Sequence, residues 1–189
     1  EAVRRIRKAL RGQESIAVYG DFDADGVTAT ALLVQTLKAL GGDVRPYIPD
    51  RADEGYGLNE EALTSLAQNG VSLVVTVDCG VRAVDEVASA NRVGLDVVIT
   101  DHHTVGSCLP EAAAVIDPKR SGGAPCAFGE DSFDGLAGVG VAYRLAQALL
   151  RSHRQDPIND ADVGLREEEL LDLVALGTVA DVVELRGQN

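Results

Sequence analysis

Short apolar runs that each end in acid constrain this chain more than any other feature. Leu73-Val74-Val75-Thr76-Val77 is a continuous β-prone run of the kind buried on both faces of a sheet, and it stops at Asp78-Cys79-Gly80. Ile16-Ala17-Val18-Tyr19 runs into Asp21-Phe22-Asp23-Ala24-Asp25-Gly26, and a further strand signal, Asp96 to Thr100, runs into Asp101-His102-His103. Val44 to Ile48 reads as another strand. Helical patterns lie between them: the Ala/Leu-rich stretch Val27 to Leu40, Asn59 to Gln68 with Asn59 as cap and Leu63, Leu66 and Ala67 on one face, and Val81 to Arg92 with Val84, Val87 and Ala88 inward. Strands alternating with helices at this spacing predict an α/β fold, a mostly parallel central sheet covered by helices on both faces. After Asp117-Pro118 the alternation stops. A loop at Ser121 to Pro125, helices at Val139 to Arg151 and Glu167 to Leu176, and a polar surface loop from Ser152 to Asp162 predict a helical C-terminal third.

The length of 189 residues and a hydrophobic content of 46% suit one domain with a sizeable core. No apolar run approaches the roughly 20 residues of a membrane helix, and Glu1-Ala2-Val3-Arg4-Arg5 lacks the apolar stretch of a signal peptide, so a cytoplasmic protein that does not engage membranes is expected. The first residue is not Met and the chain stops at Gln188-Asn189 just after an apolar segment, which suggests a piece of a longer protein. Cys79, Cys108 and Cys126 form no CxxC pair and read as reduced structural thiols. The net charge of −13 argues against a uniformly basic, nucleic-acid-coating surface, but carboxylates committed to cations invert their local field.

In a parallel sheet, ligands collect at the carboxyl ends of the strands, and three of those ends here carry acids or histidines. Like charges brought so close in a partly buried site need protons or cations. Carboxylate oxygens plus an imidazole suit Mn or Mg better than Zn, and a carboxylate shared by two ions would place them about 3.5–4 Å apart, as in two-metal phosphoryl chemistry. Asp78, alone on its strand end, is the candidate bridge. Each cluster also has a plainer explanation. Asp25-Gly26 before a helix is a common cap, and Asp78-Cys79-Gly80 alone is a weak signal, whereas two adjacent histidines directly after a strand-end acid are harder to explain by packing. His153, isolated among polar residues, reads as surface. Gly138-Val139-Gly140 opens a helix and is a candidate phosphate cradle without the Lys of a P-loop, or else a close helix packing. Arg51 is a candidate phosphate clamp or a solvated Arg, and Tyr56 a candidate base-stacking ring or a core aromatic. No Ser/His/Asp or Cys/His nucleophile is indicated, so activated water is the expected attacking group.

Four segments in order resemble the motifs of the DHH phosphoesterase superfamily: Gly20 to Gly26 (GDFDADG), Val75 to Gly80 (VTVDCG), Thr100 to His103 (TDHH) and Ala175 to Leu185 (ALGTVADVVEL). Ile48 to Asn59 and Leu136 to Leu149 resemble, within it, the RecJ family of single-strand exonucleases. The resemblance covers nearly the whole chain and implies one DHH catalytic domain over residues 1–189 that hydrolyses single-stranded DNA from 5′ to 3′ into mononucleotides during recombination and repair, with two Mn2+ or Mg2+ ions. It implies that Asp23 binds one ion, Asp25 the other and Asp78 both, that His102 and Asp181 complete the second site, that His103 contacts the scissile phosphate, and that Asp101 orients the histidines. A single-strand-binding protein or a helicase would be accessory partners of a monomer. Two departures stand out. Many superfamily members carry a His four residues before the first liganding Asp, where this chain has Tyr19; Asp21 or water is expected in its place. The second, glycine-rich domain of the superfamily has no counterpart here. The alternatives are a phosphodiesterase of cyclic dinucleotides or short RNA, an inorganic pyrophosphatase, and, from a different class, a catalytically silent replication scaffold.

Overall fold

The structure is a computed structural model and describes residues 1–50, 55–120, 135–159 and 163–189. The element order is α1 (Ala2–Arg11), β1 (Ser15–Tyr19), α2 (Ala24–Ala39), β2 (Val44–Tyr47), α3 (Glu60–Gln68), β3 (Val71–Thr76), α4 (Val84–Arg92), β4 (Asp96–Thr100), β5 (Ala114–Ile116) and α5 (Gly138–Gln155). A 3-10 turn at Glu167–Leu170 then leads into α6 (Leu171–Ala180). The five strands stand in the order β2-β1-β3-β4-β5, and all four pairings are parallel. The chain first steps from β1 out to β2, then returns to the other side of β1 to lay down β3. A crevice therefore opens between the carboxyl ends of β1 and β3, where loops leave in opposite directions.

Helices cover both faces, as the alternation predicts. On one side Leu32, Leu33 and Leu37 of α2 meet Leu145, Ala146 and Leu149 of α5 over Ile16, Val18, Val75 and Val98 of the sheet. On the other, Leu63 and Leu66 of α3 and Val87 and Ala90 of α4 pack on Ala17, Tyr19, Val74 and Val97. Each fully buried Leu or Val contributes roughly 1.5–3 kcal/mol, so the continuous apolar strands hold both layers at once. Among the described residues, no helix is long and apolar enough to cross a membrane.

Several boundaries differ from the sequence expectation. Helix α2 begins at Ala24, three residues before Val27, because the Asp23 carboxylate accepts the Gly26 N–H at 2.9 Å and caps it there. Helix α4 begins at Val84, three residues later than expected, after a turn in which Ala83 donates its N–H to Gly80 O at 3.0 Å. Its inward face consequently carries Val87 and Ala90, while Val84 and Ala88 face solvent. The polar stretch after Arg151 is partly helical, for α5 runs on to Gln155. This places His153 on the buried face with Leu149 and Leu150, where its Nδ1 accepts the Ile158 N–H at 3.2 Å. His153 is thus an inward, hydrogen-bonded side chain and not a surface one. Helix α1 and strand β5 were not anticipated. The loop expected at Ser121 to Pro125, Cys126 and the end of the polar stretch lie outside the described residues; Cys79 is buried and Cys108 exposed, both as free thiols.

Candidate metal centre

The crevice between β1 and β3 fills with carboxylates. Asp21 and Asp25 are buried and Asp23 is exposed, all on the turn and first helical residues after β1. Asp78 follows β3, buried, with φ of 61°. A residue other than glycine in the left-handed region is uncommon, Asp being one of the types that reach it most readily, and such conformations gather at functional sites. His102 follows β4, and Asp181 arrives from the C-terminal end of α6.

Three sets of ligand atoms lie within 4.8 Å of one another: Asp21, Asp23 and Asp78; Asp25, His102 and Asp181; and Asp78, His102 and His103. Asp78 belongs to two of these sets, and its Oδ1 is 3.1 Å from His102 Nε2; that nitrogen is 3.9 Å from Asp25 Oδ2, while His102 Nδ1 is 3.7 Å from Asp181 Oδ2. The close approach of Asp78 and His102 is too poorly aligned for a hydrogen bond, and both atoms are buried without a hydrogen-bond partner. Both atoms face the same acidic pocket, and the ion pair they form with His102 protonated is one that a divalent cation, displacing that proton, would replace. Carboxylate oxygens with one imidazole form a donor set suited to Mn2+ or Mg2+. Asp21 lies with Asp23 and Asp78 in the first of these sets, while Tyr19 is wholly buried, donates its hydroxyl to Gly57 O at 3.1 Å and stacks on Tyr47.

Electrostatics agree with the geometry. Burial pushes the Asp78 carboxyl up to about 7, with Asp25 and Asp23 adding to the rise and His102 opposing it. Burial also raises Asp25, against two backbone N–H groups that favour its charged form. His102 is drawn down by burial, but Asp78, Asp181 and Asp25 outweigh this and lift it to about 9. The cluster holds more negative charge than its burial tolerates, the condition under which divalent cations bind.

Around the acids, backbone and small residues fix the geometry. Gly138 and Val139, at the start of α5, donate their N–H groups to Asp25 at 2.6 and 2.8 Å. The sequence offered these N–H groups as a phosphate cradle; in the structure they are spent on a carboxylate of the chain itself. The alternative of close packing holds, since a Cβ at Gly138 would lie 2.6 Å from Asp78. A Cβ at Gly177 of α6 would strike Thr28 and come within 2.9 Å of Asp25 Oδ1, so this glycine lets α6 carry Asp181 up to the cluster. Asp101 accepts the His102 and His103 N–H groups at 2.7 and 3.1 Å, the His103 Nδ1 at 2.7 Å and the Val81 N–H at 2.9 Å. Burial would raise Asp101, yet the bonds from His103 and Val81 hold it below the usual carboxylate range. It fixes the His103 ring and the backbone of both histidines. His103 remains partly exposed, its Nε2 3.2 Å from the Tyr56 hydroxyl, ring edge to ring face.

Asp23, Asp25, Asp78, His102 and Asp181 are thus brought together with Asp101, His103 and Tyr56 beside them, whereas Arg51 lies outside the described residues. Sequence reasoning passed over Asp117. It follows the apolar triplet of β5, is buried, and has one carboxylate oxygen without a partner while the other accepts the Lys119 N–H. The signal was present as one more strand-end acid, on a strand too short to notice.

Comparison with known proteins gives the same family. The chain is 48% identical over 189 residues to the single-stranded-DNA-specific exonuclease RecJ of Bacillus subtilis, covering 100% of this chain and 22% of that protein. A crystal structure of exonuclease RecJ bound to manganese superposes with a TM-score of 0.81 at 38% identity, over 100% of this chain and 44% of that one. RecJ from Thermus thermophilus in complex with Mn2+ gives 0.75 at 36%, over 100% of this chain and 24% of the other. The chain therefore spans well under half the length of each of these relatives. Residues 15–178 match the model of the DHH family, N-terminal domain, and the chain belongs to that family.

Proposed function

We propose that this chain is the metal-binding catalytic module of an exonuclease that hydrolyses single-stranded DNA from its 5′ end to mononucleotides, in the cytoplasm, during recombination and repair. The observation that carries the proposal is the convergence of Asp21, Asp23, Asp25, Asp78, His102 and Asp181 in one crevice, with Asp78 Oδ1 3.1 Å from His102 Nε2. The similarity to RecJ proteins named for single-stranded-DNA exonuclease activity, two of them solved with manganese, supports the substrate and the metal.

In this reading Asp21 and Asp23 hold one ion, Asp25, His102 and Asp181 the other, and Asp78 both. Two Mn2+ or Mg2+ ions, when bound, supply activation of the attacking water and neutralise charge on the phosphate. The chain's own groups do the rest. Asp101 fixes the His103 ring through Nδ1 and favours its protonated form, in which Nε2–H donates toward a phosphate oxygen as its charge develops. The exposed Tyr56 ring, edge to face with His103, is placed to stack on a base. Arg51 is retained as a phosphate clamp.

The test is hydrolysis, with Mn2+, of single-stranded DNA labelled at either end, beside the Asp78→Asn variant. Release of labelled mononucleotide from the 5′ end, lost in the variant, is the expected result. Equal release from the 3′ end, or turnover that survives Asp78→Asn, would overturn it.

A further inference from the structure

Helix α1 lies at the amino ends of the strands, away from the metal centre, where Arg5 bonds Asp96, the first residue of β4. Its outer side is strongly basic. Arg4, Arg7, Lys8 and Arg11, four of the chain's 17 lysines and arginines, stand at helical spacing on one side of α1, and with Glu1 and Ser152 of α5 they line an open groove of about 700 Å³. The opposite side, with Ile6, Ala9 and Leu10, is buried in the core. In a chain of net charge −13 this groove is a local reversal of sign. Resting on the exonuclease reading above, we infer that the α1–α5 groove holds the phosphate backbone of the DNA strand at a distance from the end being cut.

Structural duty accounts for only part of this charge. Arg7 and Arg11 each donate to the Asp156 carboxylate at 2.7 Å, so one acid is shared by two guanidinium groups. Arg7 is 7% exposed, and its Nη1 is buried with no hydrogen-bond partner, an unmet donor in the groove wall. Arg4 and Lys8 are exposed and make no ion pair among the described residues. Phosphate oxygens answer both needs, since guanidinium forks match them and an ammonium pairs with them as a point charge. The lining also selects among anions. It has no aromatic ring to stack on a base, and Val3 is its one apolar side chain, too little to anchor an acidic peptide. What remains is contact with the backbone, independent of sequence. Arg4, Lys8 and Arg11 succeed one another by about 6 and 4.5 Å along the helix axis, a row that suits a chain of charges better than a single phosphate. The distance fits the same reading. Gly138, which bonds Asp25, and Ser152 in the groove are about 21 Å apart along α5. That is about six nucleotides at the 3.4 Å spacing of a stacked strand, and fewer in a stretched one.

The test is the salt dependence of binding. A long fluorescent single strand is titrated with Asp78→Asn protein, which should not cut it, across a series of salt concentrations, alone and with Arg4→Gln and Lys8→Gln added singly and together. Each lost phosphate contact removes about 0.7 from the slope of log K against log salt, so the slope should become shallower by about 0.7 in each single variant and about 1.4 in the double one. Arg92→Gln, on α4 in the other helical layer, controls for loss of charge as such and should leave the slope unchanged. With Asp78 intact and Mn2+ present, the preference in kcat/KM for the long strand over a trinucleotide, too short to reach the groove, should fall when Arg4 and Lys8 are replaced. An unchanged slope in the Arg4, Lys8 variant, which is also the result for a groove that serves an acidic peptide, would overturn the inference and leave the exonuclease reading standing. So would an equal loss of slope in Arg92→Gln. Failure of the wild type to cleave either strand would overturn the exonuclease reading and this inference with it.

Discussion

Asp25 and Gly138 are 113 residues apart in the chain, and the Gly138 N–H donates to the Asp25 carboxylate at 2.6 Å. The bond ties the start of α5 to the first turn of α2, so the ligand cluster and the packing of these two helices are one arrangement. Gly138→Ala tests that linkage. The added Cβ would lie 2.6 Å from Asp78, forcing the carboxylate or the helix to move. Overpacking of this kind costs about 1–3 kcal/mol. The expected outcome is a modest drop in urea midpoint with a much larger drop in Mn2+-dependent hydrolysis; an activity loss no greater than the unfolded fraction explains would refute the linkage.

Asp78→Asn should abolish hydrolysis, by about 10²–10³-fold or more, with little loss of folding, because it removes the proposed bridging charge at constant size. Metal provides a separate readout. A cation that binds only the folded state stabilises it by mass action, so Mn2+ should raise the melting temperature of the wild type and chelation should reverse this. The variant's melting temperature should respond weakly. An equal response in both would remove Asp78 from the centre.

His103→Ala should behave differently from Asp101→Asn. The first removes a ring whose proposed partner is the substrate, leaving Mn2+ affinity nearly intact while kcat falls. The second disturbs an acceptor that serves three backbone N–H groups and one ring, two of them on His102 and His103. It should therefore weaken metal binding as well as turnover. Titration calorimetry with Mn2+ on both variants decides, and lost affinity in His103→Ala would contradict the role given to that ring.

Glu167 supplies a pH dependence remote from the metal centre. The bond from Arg154, at 2.6 Å, holds its carboxyl below the usual range, with Gln147 assisting. A carboxyl depressed in the folded state contributes stability that is complete above its unfolded pKa of about 4.3 and vanishes as pH falls through the lower folded value. The partner Arg is largely exposed, so the contribution is about 0.2–1 kcal/mol. Glu167→Gln should be less stable than wild type by that amount at pH 7 in urea titrations, and the two should converge in strong acid. A constant difference across this range would show that the ion pair is not its source.

The acids after β1, β3 and β4 were legible in the sequence because period and apolar run length mark strand ends, and a parallel sheet gathers strand ends at one edge. Asp181 had no such mark. It closes an apolar helix, and only the resemblance to the family singled it out; its place depends on Gly177 allowing α6 against Asp25, a tertiary fact. Helix α1 was missed because Arg4, Arg5, Arg7, Lys8 and Arg11 mask a narrow stripe of Ile6, Ala9 and Leu10, and no side chain caps its start. His153 was misjudged from its polar neighbours, although three and four residues back along α5 stand Leu150 and Leu149, on its own face.

The proposed ligands run from Asp21 to Asp181, nearly the whole length of the chain. Asp181 is the last of them to be synthesised, after every other proposed ligand. No earlier stretch of the chain contains a complete centre. The proposed centre is therefore complete only once α6 has docked against α2.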